Sequence, residues 1–152
     1  MLVGMAAVRV RRLEPADAAE HARMRIALWP DEDPDQLARE SDQFLREPNQ
    51  VAFVAERAGG GLCGMVEAGV RPFANGVDEQ PCAFVEGWWV DPDVRRTGVG
   101  GALIAAVEDW ARKRGFHELG SDALIDNVLS HTAHLALGFE ERERTVNFRK
   151  FL

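Results

Sequence analysis

From Trp88 to Gly101 the chain reads WWVDPDVRRTGVGG: an apolar run, an Asp-Pro break, two arginines, then glycine at 98, 100 and 101. A stretch with helical spacing follows, with Leu103, Ile104, Val107 and Trp110 on one face and Gly115 after its end. A strand, a glycine-rich turn and a helix start in that order form an anion site. The helix N-terminus offers unpaired backbone N–H groups, and glycines let a pyrophosphate approach without Cβ clashes. GxGxxG is absent here and GxxxxGK[S/T] is absent from the chain, which removes the dinucleotide and P-loop readings. A glycine loop that merely caps a helix is the remaining alternative.

The surrounding pattern is α/β (α+β). Val8 to Leu13 alternates as a half-buried strand, and a helix opens at Pro15 with Ala18, Ala22, Ile26 and Trp29 near helical spacing. Pro30 ends it. A second helix starts by Pro34, carries Leu37, Phe44 and Leu45, and ends at Pro48. Val51 to Glu56 and Leu62 to Val70 flank Ala58-Gly59-Gly60-Gly61 as a hairpin, and Ala83 to Val90 is a further strand. After the glycine loop and long helix come a strand at Glu118 to Ser121, a helix at Asn127 to Leu137, and one bent or two short strands from Phe139 to Phe151. Hairpins on one side and a helical crossover on the other require a mixed sheet.

The totals narrow the partners. At 152 residues the chain fits one domain, 1–152, and 46% hydrophobic with 28% charged residues suits a globular protein. A formal net charge of −7 opposes nucleic-acid binding and fits a cationic small molecule, although acidity also serves solubility. Cys63 and Cys82 lie apart in apolar segments, so they read as buried free thiols in a reducing cytoplasm. Met1 to Val8 is too short for a signal peptide, and no apolar run approaches the roughly 20 residues of a membrane span. His131-x-x-His134 has helical metal-ligand spacing but lacks an evident third ligand, so no metal is expected.

Arg95-Arg96-Thr97-Gly98-Val99-Gly100, preceded by Val90-x-Pro92, resembles the Q/R-x-x-G-x-G/A acetyl-CoA loop of the GNAT superfamily of N-acetyltransferases. Asn127, Ser130, His134, Gly138 and Phe139 resemble a second motif of that family. Its asparagine bonds the pantetheine arm, and its tyrosine protonates the departing thiolate. This chain has no tyrosine, and His134 stands at that position. A histidine suits such a proton transfer, and a packed core histidine is the alternative. The resemblance implies a GNAT fold with a mixed central sheet of six to seven strands and about four helices, and acetyl-CoA as co-substrate. It assigns the cofactor to Trp88, Trp89, Val90, Arg95, Arg96, Thr97, Gly98, Val99, Gly100, Gly101, Asn127 and His134.

Over nearly its whole length the chain is also similar to the aminoglycoside 6′-N-acetyltransferase subgroup. The similarity runs through Leu28-Trp29-Pro30-Asp31, Glu67 to Arg71, Ala83 to Gly87, Ser121-Asp122-Ala123 and Ala136 to Phe139. It implies an aminoglycoside-like cationic amine as partner, a homodimer, and substrate contacts from Trp29, Glu67, Arg71, Glu86 and Asp122. Strand alternation independently puts Glu86, Trp88 and Val90 on one face, with Asp122 at the end of the adjacent strand. Glu86 and Asp122 near the acetyl group attract an ammonium ion, and one of them takes its proton; with His134 they form the catalytic set. The alternatives are that Glu86 pairs with an arginine such as Arg71 and that Asp122 caps the next helix. Within the same fold, a metabolic polyamine, an amino acid or a protein amine is the rival acceptor. A non-catalytic acyl-CoA-binding regulatory domain is the rival of another class.

Overall fold

The computed structural model describes residues 8–152. The apolar N-terminal segment lies, up to residue 7, outside the described residues. Five strands, β1 (Arg9–Arg12), β2 (Gln50–Glu56), β3 (Leu62–Arg71), β4 (Cys82–Val90) and β5 (Leu119–Gly120), lie in sequence order in one sheet. The first four pair antiparallel, and β5 joins β4 in parallel after the crossover through helix α4 (Val99–Lys113). The mixed sheet is as expected. Its strand count is five among the described residues, below the six to seven expected, because residues 140–152 form no strand and are exposed.

Helix α4 covers one face of the sheet. Val99, Leu103, Ile104, Val107, Trp110 and Ala111 bury on it against Val66, Ala68, Ala83 and Val85. Each large aliphatic side chain so buried stabilises by roughly 1.5–3 kcal/mol. The other face carries α1 (Ala18–Leu28) and the single turn α3 (Gln43–Arg46), packed over Val54 and Met65, with α2 (Pro34–Glu40) against α1. The second helix expected from Pro34 to Pro48 is thus two pieces, divided at Ser41 and Asp42.

The inward face of α1 is not the apolar one expected. Ile26 is 38% exposed, while His21, Met24 and Arg25 are buried. The reason lies on β3, where Glu67 is 1% exposed. A buried carboxylate requires charged or hydrogen-bonding partners. Arg25 donates to Glu67 Oε1 at 2.5 Å, and His21 Nε2 lies 2.8 Å from the same oxygen. Arg25 also donates to Glu40 of α2 at 2.7 Å, and His21 Nδ1 meets Ser41 Oγ at 2.5 Å. This network ties α1, α2 and the turn after α2 to the middle of β3.

Candidate active site

Two irregularities of β4 shape the site. The register with β3 shifts, Glu67 facing Gly87 and Ala68 facing Val85, so Glu86 is an extra, bulged residue. A bulge inverts the alternation beyond it. Ala83 and Val85 face the α4 core before it, Trp88 and Val90 after it, and Glu86 is turned out to solvent. The expectation that Glu86 shares a face with Trp88 and Val90 is therefore corrected. The second irregularity is that β5 pairs only at Ala83 and Phe84. Beyond Phe84 the two parallel strands part, leaving the backbone of β4 from Val85 to Val90 without a partner on that side.

The C-terminal end of β4 is tied to α1 and the β2–β3 hairpin by a charged hub. Asp91 accepts from both terminal nitrogens of Arg23 at 3.0 Å, from Arg57 at 2.9 Å and from Trp89 Nε1 at 2.8 Å. Burial pushes its carboxyl pKa up, but the bonds from Arg23, Trp89 and Arg57 outweigh that and hold it below the usual range. The glycine loop follows. Arg95 Nε donates to Val90 O at 2.9 Å, and its guanidinium lies 5.0 Å from the Trp89 ring. Thr97 Oγ1 donates to Val94 O at 2.5 Å.

Arg96 and Gly98 both take positive φ, 62° and 93°, directly before α4. A Cβ on Gly98 would meet nothing within 4 Å, so open space stands before the helix N-terminus. Gly100 serves packing instead. A Cβ there would lie 2.9 Å from Trp88 Cζ2, so this glycine seats the helix on the indole. Beside it, Trp88 Nε1 is a buried donor with no partner among the described residues. The open face of Gly98 and the unpaired amides of the first helical turn fit a pyrophosphate. The parted strands fit the thioester arm.

At the bulge, Arg71 grips Glu86 with two bonds, Nε to Oε1 at 2.7 Å and Nη2 to Oε2 at 2.6 Å, and lies 3.7 Å from the Phe84 ring. Of the two readings of Glu86, pairing with Arg71 is what the geometry shows. Asp122 is exposed, and its charge helps hold the Arg71 pKa above its ordinary value, after the larger effect of the Glu86 bond. Because β5 runs parallel to β4 with Gly120 opposite Phe84, Asp122, two residues on, comes toward the level of Glu86. Asp122 does not cap the next helix: α5 (Val128–Ala136) is capped by Asn127, whose Oδ1 accepts from Ser130 N at 3.1 Å. Glu67, expected to contact substrate, is 1% exposed, and its Oε1 is taken by both Arg25 and His21. Trp29 stands over Gly87 and lines a cleft with Glu32, Asp33, Gln36, Leu37 and Glu40.

His134 of α5 reaches the open end of β5. Its Nδ1 lies 2.7 Å from the Ser130 carbonyl, so that nitrogen carries a hydrogen. Its Nε2 lies 2.7 Å from Ser121 Oγ, and the ring packs edge-on against Trp88 and Phe139. Sequence reasoning gave Ser121 no role; its nearness to a residue 13 positions on depends on the β5–α5 turn. His131 Nε2 is taken by Leu124 O at 2.9 Å, and among the described residues no three acidic, histidine or cysteine side chains converge as metal ligands. Burial raises the pKa of both Cys63 and Cys82, so neither is an activated nucleophile.

A sheet split beside a glycine-led helix start is the frame of an acyl-CoA-dependent transferase, and comparison agrees. The acetyltransferase (GNAT) family matches residues 16–139, and the chain belongs to that family. The chain is 45% identical over 141 residues to aminoglycoside N(6′)-acetyltransferase type 1 of Stenotrophomonas maltophilia, covering 92% of this chain and 91% of that one. The enzyme of the same name from Klebsiella aerogenes is 41% identical over 145 residues, 93% and 95% of the two chains. Among solved structures, AAC(6′)-Iy in complex with the bisubstrate analogue CoA-S-monomethyl-acetylneamine superposes with a TM-score of 0.90 at 33% identity, over 97% of this chain and 100% of that one. AAC(6′)-Ih from Acinetobacter baumannii gives 0.88 at 33% identity, over 96% and 99%. Acetyl-CoA is the co-substrate that this family membership and the CoA complexes of AAC(6′)-Iy define.

Proposed function

We propose that the chain transfers the acetyl group of acetyl-CoA to the 6′-amine of an aminoglycoside, directly and within a ternary complex. The observation that carries the acceptor is the exposed Asp122 carboxylate, two residues past β5 on the strand that borders the opening and toward the level of the Arg71–Glu86 pair. The names of the relatives and the bisubstrate neighbour support the same acceptor.

In this reading Asp122 attracts the ammonium group and takes its proton, directly or through water, so that the neutral amine attacks the thioester. Glu86, held by Arg71, adds negative potential but has little freedom to act as a base. Backbone N–H groups of β4 near Val90 stabilise the developing oxyanion. Asn127 Nδ2 is free to bond the pantetheine arm while Oδ1 caps α5. His134 stands behind the departing sulfur as the proton source. Thiol release from acetyl-CoA, measured across an aminoglycoside panel with the product's acetylated position read by NMR, tests the proposal. Acetylation of simple polyamines with no aminoglycoside turnover would overturn it.

A homodimer is part of the same reading. Helix α5 exposes Val128, Leu129 and Leu135, and the tail beyond it exposes Val146, Phe148 and Phe151 at 77%, 92% and 80%. A second copy covering these apolar groups accounts for them. Light scattering that gives a monomer mass at micromolar concentration would contradict this. The two buried free thiols and the use of acetyl-CoA support a cytoplasmic location, and among the described residues no helix is long and apolar enough to cross a membrane.

A further inference from the structure

We infer that Ser121 is the group that hands the proton to the departing thiolate, with His134 as the reservoir behind it. The inference rests on the acetyl-transfer reading above and adds a catalytic residue to it.

Pairing of β5 with β4 stops at Phe84 and Gly120, so Ser121 is the first residue past the point where the strands part. Side chains alternate along a strand. Leu119 packs with the α4 core, and the position of a Gly120 Cβ points instead at Val77 and Phe84. Ser121 thus returns to the α4 and α5 side, where its Oγ meets His134 Nε2 at 2.7 Å.

Both nitrogens of that histidine are engaged. Nδ1 is fixed by the Ser130 carbonyl at 2.7 Å, with Ser130 Oγ a further 3.2 Å contact, and Nε2 is fixed by Ser121. Trp88 and Phe139 hold the ring edge-on with centroids at 5.3 and 5.0 Å, so it is not free to swing toward the opening. A proton leaving Nε2 passes to Ser121 Oγ before it goes elsewhere. Ser121 itself is half-buried at the parting of the strands, the gap that on the acetyl-transfer reading receives the thioester arm.

In the transfer, the amine nitrogen forms its bond to the acetyl carbon, the carbon–sulfur bond breaks, and sulfur keeps the electron pair. Ser121 Oγ–H gives its proton to sulfur while a proton that solvent has delivered to His134 Nε2 passes to Oγ. The products are the amide, free CoA thiol, an intact serine hydroxyl and neutral His134 with its hydrogen on Nδ1. Solvent then restores the second imidazole proton.

Three proteins test this: wild type, Ser121→Ala and Ser121→Thr. At saturating aminoglycoside, Ser121→Ala lowers kcat by about 10- to 100-fold and leaves KM for acetyl-CoA within about twofold, and Ser121→Thr restores most of the rate. A second readout needs no acceptor. A hydroxyl that donates to the thiolate lowers the pKa of bound CoA thiol, followed by thiolate ultraviolet absorbance. Ser121→Ala raises that pKa by about one pH unit, and Ser121→Thr does not. An unchanged bound-thiol titration in Ser121→Ala overturns the assignment, whatever happens to kcat, because a structural role leaves it unmoved. A covalent acetyl group on Ser121 after acetyl-CoA alone also overturns it, since the serine is then a nucleophile. Wild type that leaves every aminoglycoside unmodified defeats the acceptor reading alone, and the thiol titration still decides the role of Ser121.

Discussion

The Trp29 indole occupies the space a side chain at Gly87 would need: a Cβ there would stand 2.6 Å from Trp29 Cη2 and 3.0 Å from Cζ2. The contact lies on the strand residue next to the Glu86 bulge. Arg25, whose guanidinium is 5.0 Å from the indole, joins it to the buried Glu67 network. Gly87→Ala therefore moves Trp29 or the bulge. The expected cost is about 1–3 kcal/mol in unfolding free energy, as for overpacked cores. If the acidic cleft that Trp29 lines receives the amine, KM for the amine should rise while acetyl-CoA affinity holds. Denaturant melts and two-substrate kinetics check both halves; an unaltered amine KM would remove Trp29 from the acceptor wall.

Asp122 and Glu86 should separate by kinetics. Asp122→Asn preserves size in an exposed loop, so folding is unaffected. If it is the base, kcat falls by about 100-fold or more; if it only attracts the cation, KM rises at constant kcat. Glu86→Gln leaves Arg71 without its carboxylate and puts an unopposed positive charge beside the acceptor, so KM for a polycation should rise by about tenfold. The double variant Arg71→Gln with Glu86→Gln should recover part of that loss. Steady-state constants equal to wild type for both single variants would end this assignment.

The stability of the strand end should depend on acid in a defined direction. Asp91 has 8% of its side chain exposed and is held by Arg23 and Arg57, which are 44% and 32% exposed. Breaking a fully buried pair costs about 3–5 kcal/mol, and solvent at these arginines reduces that to about 2 kcal/mol for Asp91→Asn. The folded carboxyl lies below its unfolded value of about 3.9, so its contribution is complete above about pH 4 and is lost as pH falls through the folded value. Wild type should lose stability faster than Asp91→Asn below about pH 4, with the two curves converging. Parallel curves from about pH 7 down to about pH 2 would show that Asp91 contributes nothing through its charge.

What the sequence disclosed follows from what is local. The glycine loop, its preceding strand and the apolar stripe of α4 are patterns within one continuous stretch, Cys82 to Lys113, and each lies where its spacing placed it. The hairpin around Gly59-Gly60-Gly61 is local in the same way. The differences are long-range. Alternation runs unbroken through Glu86 in the sequence of β4, because a bulge is visible only in the pairing with Glu67 and Ala68 of another strand. The polar inward face of α1 depends on Glu67, 46 positions from His21 and 42 from Arg25. Residues 140–152 carry the apolar pattern of a strand, but a strand requires a neighbour, and within the described residues they pair with none.

The glycine loop gives the sharpest separation of shape from charge. Gly98 has a φ of 93° and open space where a Cβ would stand, directly before the first turn of α4. Asn and Asp are nearly the same size, and both tolerate left-handed backbone better than other side chains, so Gly98→Asn and Gly98→Asp strain the loop alike. An acidic group near a helix N-terminus also favours the helix, so folding is not the variable that separates them. Their difference is a negative charge facing the pyrophosphate. Calorimetry should give Gly98→Asp about tenfold weaker CoA binding than Gly98→Asn at low salt. The gap should narrow at about 1 M salt, where charges are screened beyond roughly 3 Å. Acetylpantetheine, which has no pyrophosphate, should bind both variants equally. Equal CoA affinity of the two variants at low salt would mean that the pyrophosphate lies elsewhere and that the loop only caps its helix.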